Sequence, residues 1–375
     1  MSRKTKTIML KVGSFLPSPV IPVICLLAIT GCASDGTDVP EIIALSPFAS
    51  SGAPMSTANH IAILSEEIAC VTDSYESRIH CVDRVEGDVT VFGGEGGGPG
   101  EFEGLSAIGR GSDGHVVAMD FGEGRLSFFT PDGILVSETR VPSGFQLTLL
   151  RGDYLFGFEL MMPTLADLSE GFNPSYVPME VDASSGDVLW ERTDLAEVVD
   201  RECFNPAIGA SMPDGGLVFQ VCEYELAFFD HRDAPTTTVV ASPSYVEALP
   251  NERDVAAHVN SRVRLRSLAG PVSEAEIDAI AAEFREEPKE WLLKPGAFRF
   301  DGQNRLWVST TRDRNAFSYF DVWADTTYVG AVRVRDRLMG FDIFGSTLVT
   351  LVERAPGEDG IGEREIDWYD LSEID

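Results

Sequence analysis

The chain has 375 residues, with 29 Lys or Arg against 60 Asp or Glu, and its formal net charge at pH 7 is −31. A surface this acidic repels phosphate backbones and anionic headgroups, so the charge argues against nucleic acid as a partner and against membrane binding by charge. The ordinary consequence of such a charge is solubility.

Residues 1–31 have the succession of residue types that is typical of an export signal. An apolar stretch, too short and too interrupted by proline for a comfortable membrane span, follows four basic residues: Arg3, Lys4, Lys6 and Lys11. It ends in residues 29–32, Ile-Thr-Gly-Cys, which resemble the lipobox of bacterial lipoproteins. The resemblance implies cleavage before Cys32, a lipid on its sulfur and, because Ala33 follows, delivery to the outer membrane of the cell envelope. The alternative is a secretory signal with an incidental cysteine.

Cleavage would remove four basic and no acidic side chains, leaving 344 residues with a net charge of −35. We expect residues 32–40 to be a tether and residues 41–375 to fold. Apart from Cys32, the mature chain has four cysteines: Cys70, Cys81, Cys203 and Cys222. An even number of cysteines in an exported chain predicts two disulfides.

A glycine-rich stretch, VFGGEGGGPGEF, occupies residues 91–102. It lacks the Lys and Ser or Thr of a phosphate-binding loop, and no helix start follows it. The pattern therefore predicts a bend rather than a nucleotide site. Gly109, Gly111 and Gly114 do match the dinucleotide-binding spacing, but an alternating strand follows them where a helix is required.

An internal repeat relates residues 71–83 to residues 118–130, with an offset of 47 residues. Both copies have an Asp, four residues, an Arg and an alternating strand, and the offset is near the length of a propeller blade. These two copies end at Asp83 and Thr130, and weaker copies end at Asp182, Asp230, Asp321 and Asp370. The spacings between successive ends are 47, 52, 48, 91 and 49.

The double gap contains residues 245–293, which do not alternate like strands. Ser273 and Glu276 have capping-box spacing, and one helical face is apolar: Ile277, Ile280, Ala281 and Phe284. We therefore predict an all-β, six-bladed β-propeller with a helical insertion between blades 4 and 5. The last blade ends one strand short, so we expect residues 41–45 to supply that strand and close the ring.

The four-residue loop 74–77 predicts two antiparallel strands in which Asp73 faces Arg78 and Cys70 faces Cys81. Directly opposed residues are within disulfide range, so we pair Cys70 with Cys81. Cys203 and Cys222 flank the turn at residues 213–216 slightly out of register, which makes their bridge the less secure prediction.

With this repeat, most of the mature chain resembles bacterial six-bladed propeller lipoproteins related to NHL repeats. The resemblance lies in the glycine-rich residues 93–102 ahead of a blade, in Asp120 with Arg125, and in residues 305–334. The resemblance is specific for the propeller fold, but it says little about an activity. Related propeller hydrolases hold calcium on the axis, which implies a calcium-dependent, lactonase-like hydrolase as an alternative function.

Three groups of residues are candidates for function. Asp73 with Arg78, and Asp120 with Arg125, could line a ligand site, but their recurrence favours turn-stabilising ion pairs. In the insertion, Arg262, Arg264 and Arg266 could form a docking patch, or could neutralise the acidic propeller. The five histidines have no zinc spacing, and the sequence does not rank an axial metal site.

These observations predict a lipid-anchored envelope propeller that binds a protein partner or a small-molecule ligand, without catalysis and without a cofactor. A structural subunit of an envelope complex is a further alternative, because fold alone does not assign function.

Overall fold

Short strands separated by glycine-containing turns dominate the chain, and in the computed structural model they form six sheets arranged as a β-propeller. The fold class predicted from the repeat is confirmed. The structure describes residues 42–52, 58–161, 175–201, 204, 206–222, 224–246, 249–267, 271–286, 296–310, 312, 317–354 and 362–374.

Two strands precede the first blade: β1 (Ile42–Ala44) and β2 (Ala49–Gly52). Blade 1 contains β3 (Ala58–Ile63), β4 (Ile68–Asp73), β5 (Arg78–Asp83) and β6 (Val89–Gly93). Blade 2 contains β7 (Leu105–Arg110), β8 (Val116–Asp120), β9 (Arg125–Phe129) and β10 (Leu135–Arg140). Blade 3 contains β11 (Phe145–Arg151), β12 (Tyr154–Met161), β13 (Ser175–Asp182) and β14 (Val188–Glu191).

The short helix α1 (Leu195–Val199) leads to blade 4, which contains β15 (Gly209–Ser211), β16 (Leu217–Val221), β17 (Glu225–Phe229) and β18 (Thr238–Ala241). The insertion follows as α2 (Glu252–Ser267) and α3 (Glu274–Glu286). Blade 5 contains β19 (Phe298–Phe300), β20 (Leu306–Thr310), β21 (Phe317–Ala324) and β22 (Thr327–Arg335). Blade 6 contains β23 (Arg337–Phe344), β24 (Thr347–Glu353) and β25 (Arg364–Asp370).

Apolar side chains on both faces of each sheet pack against the neighbouring blades. Between blades 5 and 6, Trp307 and Phe320 pack in one buried cluster with Tyr369. Trp368, on the opposite side of blade 6, is buried against blade 1. Fully burying one large apolar side chain such as Phe contributes roughly 1.5–3 kcal/mol, more than an exposed ion pair. The inter-blade clusters therefore hold the ring together.

Strand β2 closes the ring by pairing antiparallel with β25, in register from Ala49 opposite Trp368 to Gly52 opposite Glu365. Strand β1 instead pairs parallel with β22, as a fifth strand of blade 5. The prediction that residues 41–45 supply the missing strand is therefore wrong. A polar contact adds to the pairing of β2 with β25, because Ser50 in β2 donates its hydroxyl to the buried Asp367 carboxylate at 2.5 Å.

Cys70 and Cys81 lie directly opposite each other in β4 and β5 and form a disulfide, as predicted. Cys222 is disulfide-bonded as well. Its predicted partner, Cys203, lies outside the described residues, as do Cys32, the signal segment and the tether.

The glycine-rich stretch links the outer strand β6 to the inner strand β7, so the bend that the sequence predicts is confirmed. Phe102 anchors the link because its ring is fully buried beside Phe129. Gly93 has φ +87°, and a Cβ there would lie 2.8 Å from the Phe102 ring. A side chain at Gly93 would therefore displace the residue that anchors the link.

The position that the sequence repeat assigns to Asp321 in blade 5 is wrong. Asp321 lies three residues before the end of β21, where Asp367 lies in β25. Both carboxylates are fully buried and each pairs with an arginine that follows the second strand, Arg312 or Arg354. Asp321 therefore corresponds to Asp367 rather than to Asp370, because the shared feature is a buried ion pair and not a strand end.

Candidate functional site

One face of the ring carries most of the chain's irregular structure. Because successive strands in a blade alternate in direction, the loop between the second and third strands lies on the same face as the connection to the next blade. We call this the loop face, and it includes residues 74–77, 94–104 and 121–124 and the two helices of the insertion, α2 and α3.

Two aromatic side chains project from the loop face. Tyr75 is 86% exposed and Phe121 is 45% exposed, in equivalent loops of blades 1 and 2. Asp73 fixes the first loop, since its Oδ1 accepts hydrogen bonds from the backbone N–H groups of Tyr75 and Glu76 at 3.0 and 3.1 Å. The loop thus presents its aromatic ring from a hydrogen-bonded turn.

The predicted ion pairs serve these loops and the glycine-rich link. Arg125 lies 3.5 Å from Asp120, and it also donates to the Glu101 carbonyl at 2.7 Å. Asp120 accepts hydrogen bonds from the backbone N–H groups of Glu103 and Gly104. This buried arrangement holds the link in place, which favours the turn-stabilising interpretation over a ligand site.

In blade 1 the ion pair differs. Asp73 and Arg78 are directly opposed in register, but the ion pair that Arg78 forms is with Glu76, at 3.6 Å. Both partners are about half exposed, so this pair contributes at most about 1 kcal/mol. The element shared by the two blades is therefore the carboxylate that caps the loop.

The insertion is a helical hairpin whose helices begin with reciprocal caps. At α3, Ser273 and Glu276 exchange backbone-to-side-chain hydrogen bonds of 3.0 and 3.3 Å, as the capping-box spacing predicts. His258 of α2 stacks on Phe284 of α3 with ring centroids 3.9 Å apart. No side chain of α3 is fully buried, whereas Asp254 and Val255 in the first turn of α2 are buried. The start of α2 is therefore enclosed, and α3 adds exposed surface to the loop face.

The three arginines predicted as a docking patch differ in environment. Arg262 is exposed. Arg266 forms an ion pair with Glu276 of α3 at 3.3 Å, so part of the patch is neutralised within the insertion itself. The side chain of Arg264 lies outside the described residues.

Three polar side chains on inner strands gather near the axis of the ring, and sequence reasoning did not single them out. Asp342 of β23 accepts a hydrogen bond from Arg299 Nε of β19 at 3.1 Å and another from the Ile63 backbone N–H of β3 at 3.0 Å. One carboxylate thereby connects blades 5, 6 and 1. His60 of β3 lies near Arg299, and part of its surface is exposed.

The electrostatics of this axial cluster follow from its enclosure. Burial raises the pKa of Asp342, and the Arg299 guanidinium and the Ile63 N–H oppose that rise. Burial and the Arg299 charge lower the pKa of His60 to about 4. The imidazole is therefore neutral at pH 7, so one ring nitrogen donates a hydrogen bond and the other accepts one.

The lowered pKa predicts acid sensitivity. Between pH 6.5 and about 4, the unfolded chain binds a proton that folded His60 does not, so the free energy of unfolding falls as the pH falls. His60→Gln should reduce the difference between urea midpoints measured at pH 7.5 and pH 4.5. The exposed His231→Gln is the matched control, and an unchanged difference in the His60 variant would contradict the assignment.

The hydrolase alternative requires a cluster of ligands for a metal ion. Among the described residues, no three His, Cys, Asp or Glu side chains come together in that way. The axial carboxylate, Asp342, already has Arg299 as its counterion.

Comparison with protein families and with curated proteins gives no match for this sequence. Solved structures do match. A member of the DUF4221 family from Bacteroides vulgatus superposes with a TM-score of 0.50 at 12% identity, covering 89% of this chain and 98% of that one. A protein from Bacteroides fragilis described as exported gives 0.47 at 13% identity, with 89% and 96% covered.

A further match is the calcium-binding protein regucalcin from Agrobacterium tumefaciens, with a TM-score of 0.45 at 11% identity and 88% and 97% covered. At such identities the likeness shows the propeller fold alone. Membership of the NHL-like lipoprotein family therefore stays a prediction.

Proposed function

We propose that this protein is a lipid-anchored component of the cell envelope whose loop face binds a partner protein or ligand without catalysing a reaction. The observation that carries the proposal is the composition of that face. It combines the exposed rings of Tyr75 and Phe121 with a helical hairpin, α2–α3, that stands outside the ring.

Aromatic side chains held by rigid turns are typical of binding surfaces, because they offer a large contact area at low conformational cost. An insertion between blades is free to form contacts, since each blade needs only its neighbours for stability. The net charge of −31 favours a partner with a neutral or basic surface. Arg262 offers the opposite charge at the hairpin.

Photo-crosslinking tests the binding face directly. A photoreactive phenylalanine analogue at Tyr75 or Phe121 should give a discrete crosslinked species in intact cells. Val136 is the matched control, because its side chain is 52% exposed but lies on the outer strand β10. Equal crosslinking from Val136, or none from either loop position, would contradict a specific loop-face site.

The anchor is supported by the lipobox-like residues 29–32. None of the described helices is long and apolar enough to cross a membrane. We expect Cys32→Ser to move the protein from the membrane fraction to the soluble fraction of lysed cells. Cys25→Ser, within the apolar stretch, is the control that should remain in the membrane fraction. Identical fractionation of the Cys32 variant and the unmodified protein would overturn the anchor.

A further inference from the structure

A pocket of about 240 Å³ lies at the outer edge of blade 5, where the chain leaves β1. Residues 44–46 form one side, and Phe317, Arg333 and Arg335 form the other. We call it the rim pocket. Arg333 and Arg335 are two residues apart in β22, so both side chains project from the same face of that strand.

The charge of the rim pocket is opposite to that of the protein. The chain carries a net charge of −31, yet no carboxylate lines this pocket. Neither Arg333 nor Arg335 has an ion pair in the described part of the chain. The neighbouring Arg354, in contrast, lies within 2.6–2.7 Å of three carboxylates, those of Asp336, Glu365 and Asp367.

The arginine on the wall of the rim pocket is held in place by aromatic packing. The Arg333 guanidinium lies over the Phe317 ring, 4.7 Å from its centroid, and its buried Nε has no hydrogen-bond acceptor in the described structure. Stacking restricts the plane of the guanidinium before any ligand arrives. Arg333 is half-buried, and an anion would supply the acceptor that its buried Nε donor lacks.

We propose that the rim pocket binds the phosphate group of a ligand. Two guanidinium groups suit the tetrahedral oxygens of phosphate, to which arginine donates paired hydrogen bonds. The exposed Ser46 at the mouth offers one hydroxyl donor. The volume accommodates a phosphate with a small part of the molecule that carries it. The phosphate could belong to a soluble ester or to a lipid headgroup. The rim pocket lies at the loop-face end of blade 5, but it shares no residue with the aromatic loops or with the hairpin, so its binding of phosphate does not depend on them.

Calorimetric titration of the full-length protein with inorganic phosphate, in a buffer of low ionic strength, tests the proposal. We expect saturable binding at one site that weakens as sodium chloride is added, because chloride screens and competes. Arg333→Gln and Arg335→Gln should each weaken binding about tenfold or more. Arg333→Lys keeps the charge but loses the planar fork, so it should have an intermediate affinity.

Arg337→Gln is the matched control, because Arg337 is exposed nearby but forms an ion pair with Glu353 at 3.0 Å. Thermal unfolding of every variant separates lost binding from lost folding, and Arg335→Gln remains informative if the Arg333 variant unfolds, because Arg335 is exposed. Absence of binding, or equal affinities in the Gln variants and the control, would show that the arginines only neutralise the acidic surface and would overturn the proposal.

Competition then distinguishes the two sources of the phosphate. Displacement of inorganic phosphate by glycerol 3-phosphate, but not by dihexanoyl phosphatidylglycerol, assigns a soluble ester. Displacement by the short-chain lipid assigns a headgroup. Displacement by neither would mean that the rim pocket accepts an adventitious ion only, and the proposal would be wrong.

Discussion

Asp342→Ala should lower the free energy of unfolding by about 3 kcal/mol or more, because it leaves the Arg299 guanidinium without its counterion in an enclosed position. It also removes the acceptor of the Ile63 N–H group. Burial raises the pKa of Asp342, so the ion pair itself offers little net stability at neutral pH. The predicted loss comes from the unpaired groups that remain. A thermal midpoint several degrees lower is the expected measurement.

The matched control for Asp342→Ala is Glu353→Ala, which removes the partner of the exposed Arg337 and should cost at most about 1 kcal/mol. Combining Asp342→Leu with Arg299→Met should recover much of the loss, since neither charge is then buried alone. Equal effects of Asp342→Ala and Glu353→Ala would show that the axial cluster is not a junction between blades.

Deleting residues 47–52 should have the second large effect, because it removes β2 and opens the ring. The deletion uncovers the outer edge of β25 and takes the Ser50 hydroxyl away from the Asp367 carboxylate. An unpaired strand edge also invites association between molecules. We expect the thermal midpoint to fall by several degrees, as for a loss of a few kcal/mol, and light scattering to rise before unfolding is complete.

Deleting residues 42–44 is the comparison, since β1 is only a fifth strand added to blade 5. That blade keeps its four strands, so this deletion should lower the midpoint less than the loss of β2. The opposite order would restore the assignment made from the sequence, in which residues 41–45 close the ring.

The blades could be predicted because their signals are local. The first two copies repeat at an offset of 47 residues and contain alternating strands, and pairing of adjacent strands follows from loop length. The same local register placed Cys70 opposite Cys81. The Ser273 and Glu276 cap was likewise predictable, because a helix start is specified within four residues.

The candidate sites were less predictable because their residues are distant in sequence. Arg299 and Asp342 are 43 residues apart in the sequence, and Ile63 and Asp342 are 279 residues apart. Nothing local distinguishes Arg299 or Asp342 from other charged residues. The exposed loop residue Tyr75 offered a weak signal, as an aromatic residue between two polar ones in a turn.

The sequence by itself determined the number of blades, the insertion and the first disulfide, because each depends on periodicity or on the pairing of neighbouring strands. Only the tertiary structure decided which N-terminal segment closes the ring, since the apolar residues 42–44 look more like a strand than residues 49–52. Strand β2 pairs with β25, and the Ser50 hydroxyl adds a hydrogen bond to the buried carboxylate of Asp367, more than 300 residues away in the sequence. The axial cluster likewise depends on closure of the ring, because the Ile63 N–H of the first blade reaches Asp342 only when the first and last blades pack side by side. The rim pocket depends on the pairing of β1 with β22, which places residues 44–46 beside Arg333 and Arg335.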